Sequence, residues 1–418
     1  MRIKPFRGLR PRPDLASKIP SLPYDVLDTR EARSLAEHDP YTFLHVVKPE
    51  IDLPPDVDPY DDRVYETGRK NFDRMLEEGW FVRDSKAAFY IYRLEHDDHV
   101  QTGIAGLASI DDYRHGRIKK HELTRPDKER DRARHMEALS ANVGPVLAAY
   151  RRVPELSAVV TGVASHAPAV DFTAADDVRH TLWVVDDPAS VERIESLFAK
   201  VQASYIADGH HRAAAAARVA AQRGAGGAAN GGGRAPHDWF LTVQFPSQQL
   251  RILDYNRVVR DLNGLDPEAF LERVRNAGFD VKHDHRARRS PHRRSFGMYL
   301  AGRWYLLTAK VEPPEGDPVR ALDVQILTDQ VLGPVLGIGD IRTDPRVDFV
   351  GGVRGMGELE RRVDSGDGAV AFAVHPTNID DVMRIADAGG VMPPKSTWFE
   401  PKLRSGMVVH PLDDGSID

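Results

Sequence analysis

The sequence predicts a mixed α/β (α+β) fold. Short apolar runs of β-type residues, such as Phe89-Tyr90-Ile91-Tyr92, are interspersed with helical periods. They do not alternate regularly as strand–helix–strand, which argues against a doubly wound parallel sheet. The balance of 41% hydrophobic and 29% charged residues is that of a globular chain able to bury sizeable cores. At about 150 residues per domain, 418 residues suggest two or three domains. We read residues 1–85 as an N-terminal extended segment with helices, 86–250 as the core, and 251–418 as a C-terminal α/β domain.

The elements follow in order. The first 30 residues are rich in Pro and Arg and read as ordered loop and strand. Helices are expected over 30–37 and 61–78, the second carrying Val64, Phe72, Met75 and Leu76 and stopped by Gly79. Residues 87–94 and 100–110 read as a hairpin turning at His96-Asp97-Asp98-His99. A strand is expected over 118–123. Pro126 opens a charged helix to about residue 142, because proline suits the first helical position. Arg130, Arg132 and Arg134 on it read as a solvated face balanced by Asp127, Glu129 and Asp131. Further strands are expected at 146–150, 181–185, 204–207 and 239–245, and a helix at 191–200. The glycine-rich stretch 224–233 reads as a surface loop. Beyond it come a helix at 267–277, a basic run from 283 whose part from Arg286 to Arg294 reads as a solvated loop, a hairpin at 298–308 and a helix at 322–332.

Composition excludes several classes. The balance of 57 basic and 63 acidic residues, net −6, does not favour wholesale binding to nucleic acid or acidic membranes. With no cysteine, disulfides, thiolate nucleophiles and zinc–thiolate sites are ruled out. No apolar signal-peptide core follows Met1, and no run approaches the ~18 apolar residues of a membrane span. The expectation is a cytoplasmic protein.

The most informative motif is Asp208-Gly209-His210-His211-Arg212, between the apolar run Ser204-Tyr205-Ile206-Ala207 and the alanine-rich stretch 213–217. A glycine turn opening a helix presents backbone N–H groups and the positive dipole end to an anion. Arg212 adds a forked donor for phosphate. Helical spacing groups Asp208, His211 and Arg212 and turns His210 elsewhere. Asp208 also suits a helix N-cap. A second dense group is Lys119-Lys120-His121-Glu122-Leu123-Thr124. As a strand it would put Lys120, Glu122 and Thr124 on one face and Lys119, His121 and Leu123 on the other.

Several segments carry a resemblance. Residues 205–213 resemble the signature of the ParB/sulfiredoxin-like superfamily, and Asp208 to Arg212 in particular resembles its free L-serine kinases. Over its full length the chain resembles a bacterial and archaeal family labelled domain of unknown function 1015. The shared landmarks are Lys4-Pro5-Phe6, Pro23-Tyr24-Asp25-Val26, Lys120-His121-Glu122-Leu123-Thr124, Asp348-Phe349-Val350-Gly351-Gly352 and Pro393-Pro394-Lys395-Ser396-Thr397. The resemblance implies a ParB/sulfiredoxin-like nucleotide-binding core with added N- and C-terminal α/β segments. It also implies phosphoryl transfer from ATP or ADP to free L-serine, giving O-phosphoserine.

Such chemistry needs a phosphate cradle, a divalent cation and a group that deprotonates the acceptor hydroxyl. Gly209, His210, Arg212 and Lys120 are the expected phosphate ligands. Glu122 is the expected base, with Asp208 and His211 as further catalytic residues, and Asp208 would contact Mg²⁺. Thr124, His135, Arg354, Lys395, Ser396 and Thr397 are candidate substrate ligands. Nucleotide and amino acid are the expected partners, and nucleic acid is not. Two other readings stay open: a ParB-like nucleotide-binding regulator of DNA or a partner protein, and a phosphoserine phosphatase.

Overall fold

The computed structural model describes residues 1–225, 235–286, 289–314 and 316–413. Most of the expected glycine-rich loop, from residue 226, lies outside the described residues, as do Ala287 and Arg288 of the basic run. The fold is mixed α/β. The chain forms two compact units, Met1–Leu250 with Pro401–Asp418, and Arg251–Glu400.

The first unit holds a nine-stranded mixed sheet. Eight strands run in the order Ile118–Lys119, Ser204–Asp208, Val146–Tyr150, Trp239–Pro246, His99–Ser109, Phe89–His96, Arg179–Val185 and Val170–Thr173. Ile3–Lys4 pairs separately with His99–Ser109. The expected hairpin forms as Phe89–His96 and His99–Ser109, with Asp97 at a φ of 54° in its turn. Two neighbouring pairs are parallel: Ile118–Lys119 with Ser204–Asp208, and Val146–Tyr150 with Trp239–Pro246. The alanine-rich helix His210–Ala225 buries Ala213, Ala215, Ala216, Val219 and Ala220 in the core beside Ala133, Met136 and Phe240. Methyl side chains let that helix lie close on its neighbours while keeping high helix propensity.

Residues 1–85 are not a separate segment. Phe43, Phe72 and Phe81 share one core with Leu139, Val143 and Val409. Their rings pack with centroids 5.8 to 6.2 Å apart, mostly edge-on, as ring quadrupoles favour. The chain also returns to this unit at its end, where His410-Pro411 pairs with Ala141-Asn142. Hydrophobic periodicity marks which residues are buried but not which distant segment covers them, so the boundary at 85 and the single C-terminal domain are both corrected.

The second unit is a six-stranded antiparallel sheet, ordered Phe279–Asp284, Arg303–Ala309, Ser295–Leu300, Val370–Val374, Tyr255–Val259 and Val347–Gly351. Helix Pro267–Asn276 buries Phe270 and Val274 in its core. The expected 322–332 helix is α-helical over Asp323–Leu327 and π-helical over Thr328–Leu332. The basic run begins in the strand Phe279–Asp284, which pairs with Arg303–Ala309 and ends before the expected loop of 286–294. Several of its arginines make contacts within the unit: Arg293 pairs with Asp381, Arg294 with Glu312, and Arg289 donates to the Gly352 carbonyl at 2.8 Å. Among the described residues no helix is long and apolar enough to cross a membrane.

Two buried histidines couple the first unit to pH. His135 Nε2 meets the Val46 carbonyl at 2.7 Å, and His410 Nε2 meets that of Pro236 at 3.1 Å. Burial pushes both down to about 4 from the ordinary 6.5. Their folded values are depressed, so the unfolded chain binds the extra protons first. Their contribution is complete above pH 6.5 and declines toward pH 4, by about 1.4 kcal/mol per pH unit for each histidine. Urea denaturation midpoints should therefore fall across this range, and His410→Gln should flatten the slope by about one histidine's share.

Candidate functional site

The two motif-bearing segments meet at one edge of the nine-stranded sheet. Ile118–Lys119 pairs in parallel with Ser204–Asp208, Ser204 level with Ile118 and Tyr205 with Lys119. Parallel strands end on the same side, so residues 120–125 and 208–212 emerge together. The alignment persists beyond the strands, where the Arg125 N–H donates to His211 Nε2 at 3.2 Å. The expected strand stops at Lys119, and residues 120–125 are an extended loop leading into helix Pro126–Leu139. The expected alternation of faces fails accordingly: His121 is buried, whereas Leu123 is 65% exposed.

On the other segment, Gly209 takes a φ of 95°, a conformation that glycine adopts without strain. A Cβ there would also stand 3.0 Å from Arg212 Nε. The Gly209 carbonyl accepts the N–H of Ala213, opening the 16-residue helix His210–Ala225. Just before it, the pairing of Ser204–Asp208 with Val146–Tyr150 slips between Ile206 and Asp208. Such bulges re-aim a side chain, and they are frequent beside active sites.

The motif's charged ends turn inward. Arg212 bonds Asp208 at 3.0 Å and the Pro145 carbonyl, and the charge of Asp25 adds to its environment. Lys402, from the returning C-terminal segment, reaches Asp208 at 3.4 Å. Burial is the largest influence on Asp208 and would raise its pKa, but Lys402 and Arg212 together hold it below the usual carboxylate range. Arg212 also borders a narrow pocket of about 40 Å³, shared with Tyr24, His135, Asn142 and Ser405. That volume suits about one water molecule, not a nucleotide. In this geometry Arg212 holds the turn, and Asp208 is paired with two cations.

The middle of the motif faces the loop. His210, expected to point elsewhere, places Nδ1 3.5 Å from Glu122 Oε2. Its ring packs edge-on against His121 with centroids 4.4 Å apart. Both rings are buried, and burial lowers His121 to about 4 and His210 well below the ordinary range. Asp208 pulls His210 the other way. Nε2 of His210 lacks a hydrogen-bond partner, and the Ile206 backbone is the one hydrogen-bonding influence on the His121 ring. The Glu122 side chain is 45% exposed. Lys120 lies over the Tyr113 ring at 4.6 Å, and Thr124 bonds Glu129 at 3.4 Å, supporting the helix start.

The remaining candidates are placed differently. His135 borders the narrow pocket with Arg212, with Nε2 committed to Val46, so it is a core residue there. Arg354, Lys395, Ser396 and Thr397 belong to the Arg251–Glu400 unit. In that unit Lys395 lies 5.7 Å over the Tyr255 ring and Ser396 Oγ donates to the Pro393 carbonyl at 2.5 Å. Arg132 is not on a solvated face: it lies 4.1 Å over Tyr24 and pairs with Asp131 at 2.8 Å. Arg130 and Arg134 line a groove of about 730 Å³ together with Arg69, Lys70 and Arg218. Lys402 was missed because no motif surrounds it. His121 lay inside a recognised motif, but its burial against His210 had no sequence signal.

Stability separates the two roles of Arg212. Arg212→Ala should leave Asp208 and the Pro145 carbonyl short of a partner inside the fold and lower the unfolding free energy by about 3 kcal/mol or more. Urea denaturation of the ligand-free protein measures this. A residue kept only to hold phosphate would leave that stability unchanged.

Comparison with solved structures finds a free serine kinase in complex with AMP at 13% identity and a TM-score of 0.35, covering 72% of this chain and 91% of that one. A conserved hypothetical protein from Pyrococcus furiosus matches at 14% identity and 0.33, covering 70% and 89%. SbnI with a C-terminal truncation, from Staphylococcus aureus, matches at 11% and 0.31, covering 72% and 85%. Likenesses of this size do not transfer a reaction. No curated protein matches the chain. A family model described as a protein of unknown function (DUF1015) matches residues 3–325, more than three quarters of the chain, and the chain belongs to that family.

Proposed function

We propose that this protein is a nucleotide-dependent phosphotransferase whose acceptor is the hydroxyl of free L-serine. The observation that carries the reading is the half-exposed Glu122 carboxylate, held 3.5 Å from His210 on the first turn of a 16-residue helix. The loop after one parallel strand and the helix after its neighbour meet where α/β sheets commonly bind ligands. Glu122 would accept the proton of the serine hydroxyl as its oxygen attacks the terminal phosphorus, and the nucleoside phosphate would leave. The helix start and Lys120 would balance the charge of the transferring group. His211 would hold the loop through Arg125, and Arg212 with Asp208 would hold the turn. The choice of serine rests on the resemblance of Asp208 to Arg212 to free L-serine kinases.

Mg²⁺ takes oxygen ligands, but Asp208 is occupied by two cations and two imidazoles lie beside Glu122. This donor set does not fit a protein-held Mg²⁺, and no step is routed through one. For the body of the nucleotide we favour the 730 Å³ groove, which falls within the usual size range of ligand pockets. Its Arg218 lies two turns beyond His211 on the same helix face.

Purified protein incubated with L-serine, Mg²⁺ and either ATP or ADP should yield O-phosphoserine, seen by phosphorus NMR. Folded protein that gives none with either donor would refute the reading. Glu122→Gln should cut turnover by about 100-fold or more while nucleotide affinity stays within about threefold. Arg218→Glu should weaken nucleotide binding by about tenfold in calorimetry and spare turnover at saturating nucleotide. Equal affinity in that variant would move the nucleotide out of the groove.

A further inference from the structure

We propose that His121, Glu122 and His210 form a binding site for one divalent transition-metal ion of the zinc and ferrous class. One donor atom from each residue can be chosen so that all three lie within 4.8 Å of one another. Tetrahedral zinc with bonds near 2.1 Å needs donors about 3.4 Å apart, so modest rotation of the side chains closes the set. His210 and Glu122 already stand at 3.5 Å.

The second observation is independent of that spacing. Two imidazoles pack against each other at 2% and 4% exposure, and at least one nitrogen of His121, whose other partner is the Ile206 backbone, is left without a hydrogen bond. Buried polar atoms are almost always satisfied, and leaving them unmade is costly. An ion held beside Glu122 would give that His121 nitrogen its partner and would be reached from His210 through Nδ1, the atom nearest Glu122. The negative charge of Asp208 acts on His210 and favours a cation, whereas Lys120 opposes it. The Lys120 ammonium is drawn over the Tyr113 ring.

The donor chemistry sets the class of ion. Two imidazoles and one carboxylate suit zinc, ferrous iron, cobalt or nickel, whereas Mg²⁺ prefers oxygen donors. Three protein ligands leave at least one position open, as in catalytic rather than structural zinc sites. Glu122 is the exposed member of the three, so that position would face solvent on its side. The carboxylate has two oxygens, so one bound to an ion leaves the other able to take a proton. The metal site does not depend on the phosphotransfer reading.

The test uses the full chain, stripped with a chelator and titrated with CoCl₂ in the absence of nucleotide and serine. A visible d–d absorption should appear and saturate at one ion per chain. Zn²⁺ should displace it and excess Mg²⁺ should not. Glu122→Gln and His210→Ala should each weaken Co²⁺ binding by about tenfold or more, and His115→Gln, an exposed control, should not. Glu122 is exposed enough for its variant to stay folded if His210→Ala does not. Absence of the saturable absorption, displacement by Mg²⁺, or unchanged affinity in Glu122→Gln would overturn the proposal. Because neither substrate is present, a failure here leaves the phosphoserine assay untouched, and a negative phosphoserine assay leaves this result standing.

Discussion

The parallel pairing of the two-residue strand Ile118–Lys119 with Ser204–Asp208 is the constraint on which the candidate site depends. In a parallel pair both strands deliver their following residues to the same end of the sheet. The loop 120–125 and the first turn of helix His210–Ala225 are therefore forced together, though more than eighty residues separate them in sequence. The bond from Arg125 to His211 carries that alignment past the last ladder position. On the far side, the slip between Ile206 and Asp208 ends the regular ladder and sets the direction of the motif.

Charge then divides the motif into two jobs. A buried carboxylate and a buried guanidinium are tolerated only when paired, and Asp208 finds both Arg212 and Lys402. The outer residues of the motif thus anchor a glycine turn to the strand start at Pro145 and to the returning C-terminal segment. Its middle residue, His210, is left to meet His121 and Glu122. The chemistry proposed for the site is supplied by this second group, while the first keeps it in place. The segment bearing Lys402 belongs to the same compact unit as residues 1–250, which explains how so late a residue can stabilise the turn.

Local structure was legible wherever a short-range rule applied. Pro126 opened its helix, and the residues around His96-Asp97-Asp98-His99 turned as a hairpin. The run before Asp208 formed a strand, and the alanine-rich stretch formed a helix. The expected strand over 118–123 was longer than the real one because nothing pairs with the chain beyond Lys119. Arg132 was misread for a related reason. Its acidic neighbours suggested a solvated face, but Tyr24, from a distant loop, covers its guanidinium.

From sequence alone came the mixed α/β class, the exclusion of thiol chemistry, the helix-opening glycine turn and the presence of Glu122 in an ionisable cluster. These follow from composition and from spacing within a few residues. Only the tertiary structure decided that Arg212 faces inward, that Asp208 is doubly paired, and that His210 stands between His121 and Glu122. It also decided that residues 1–85 and 401–418 build one unit with the core. The physical reason is common to all of these: the direction of a side chain and the partner of a buried charge are set by which distant strand lies alongside. Nothing within one strand's own residues encodes that neighbour.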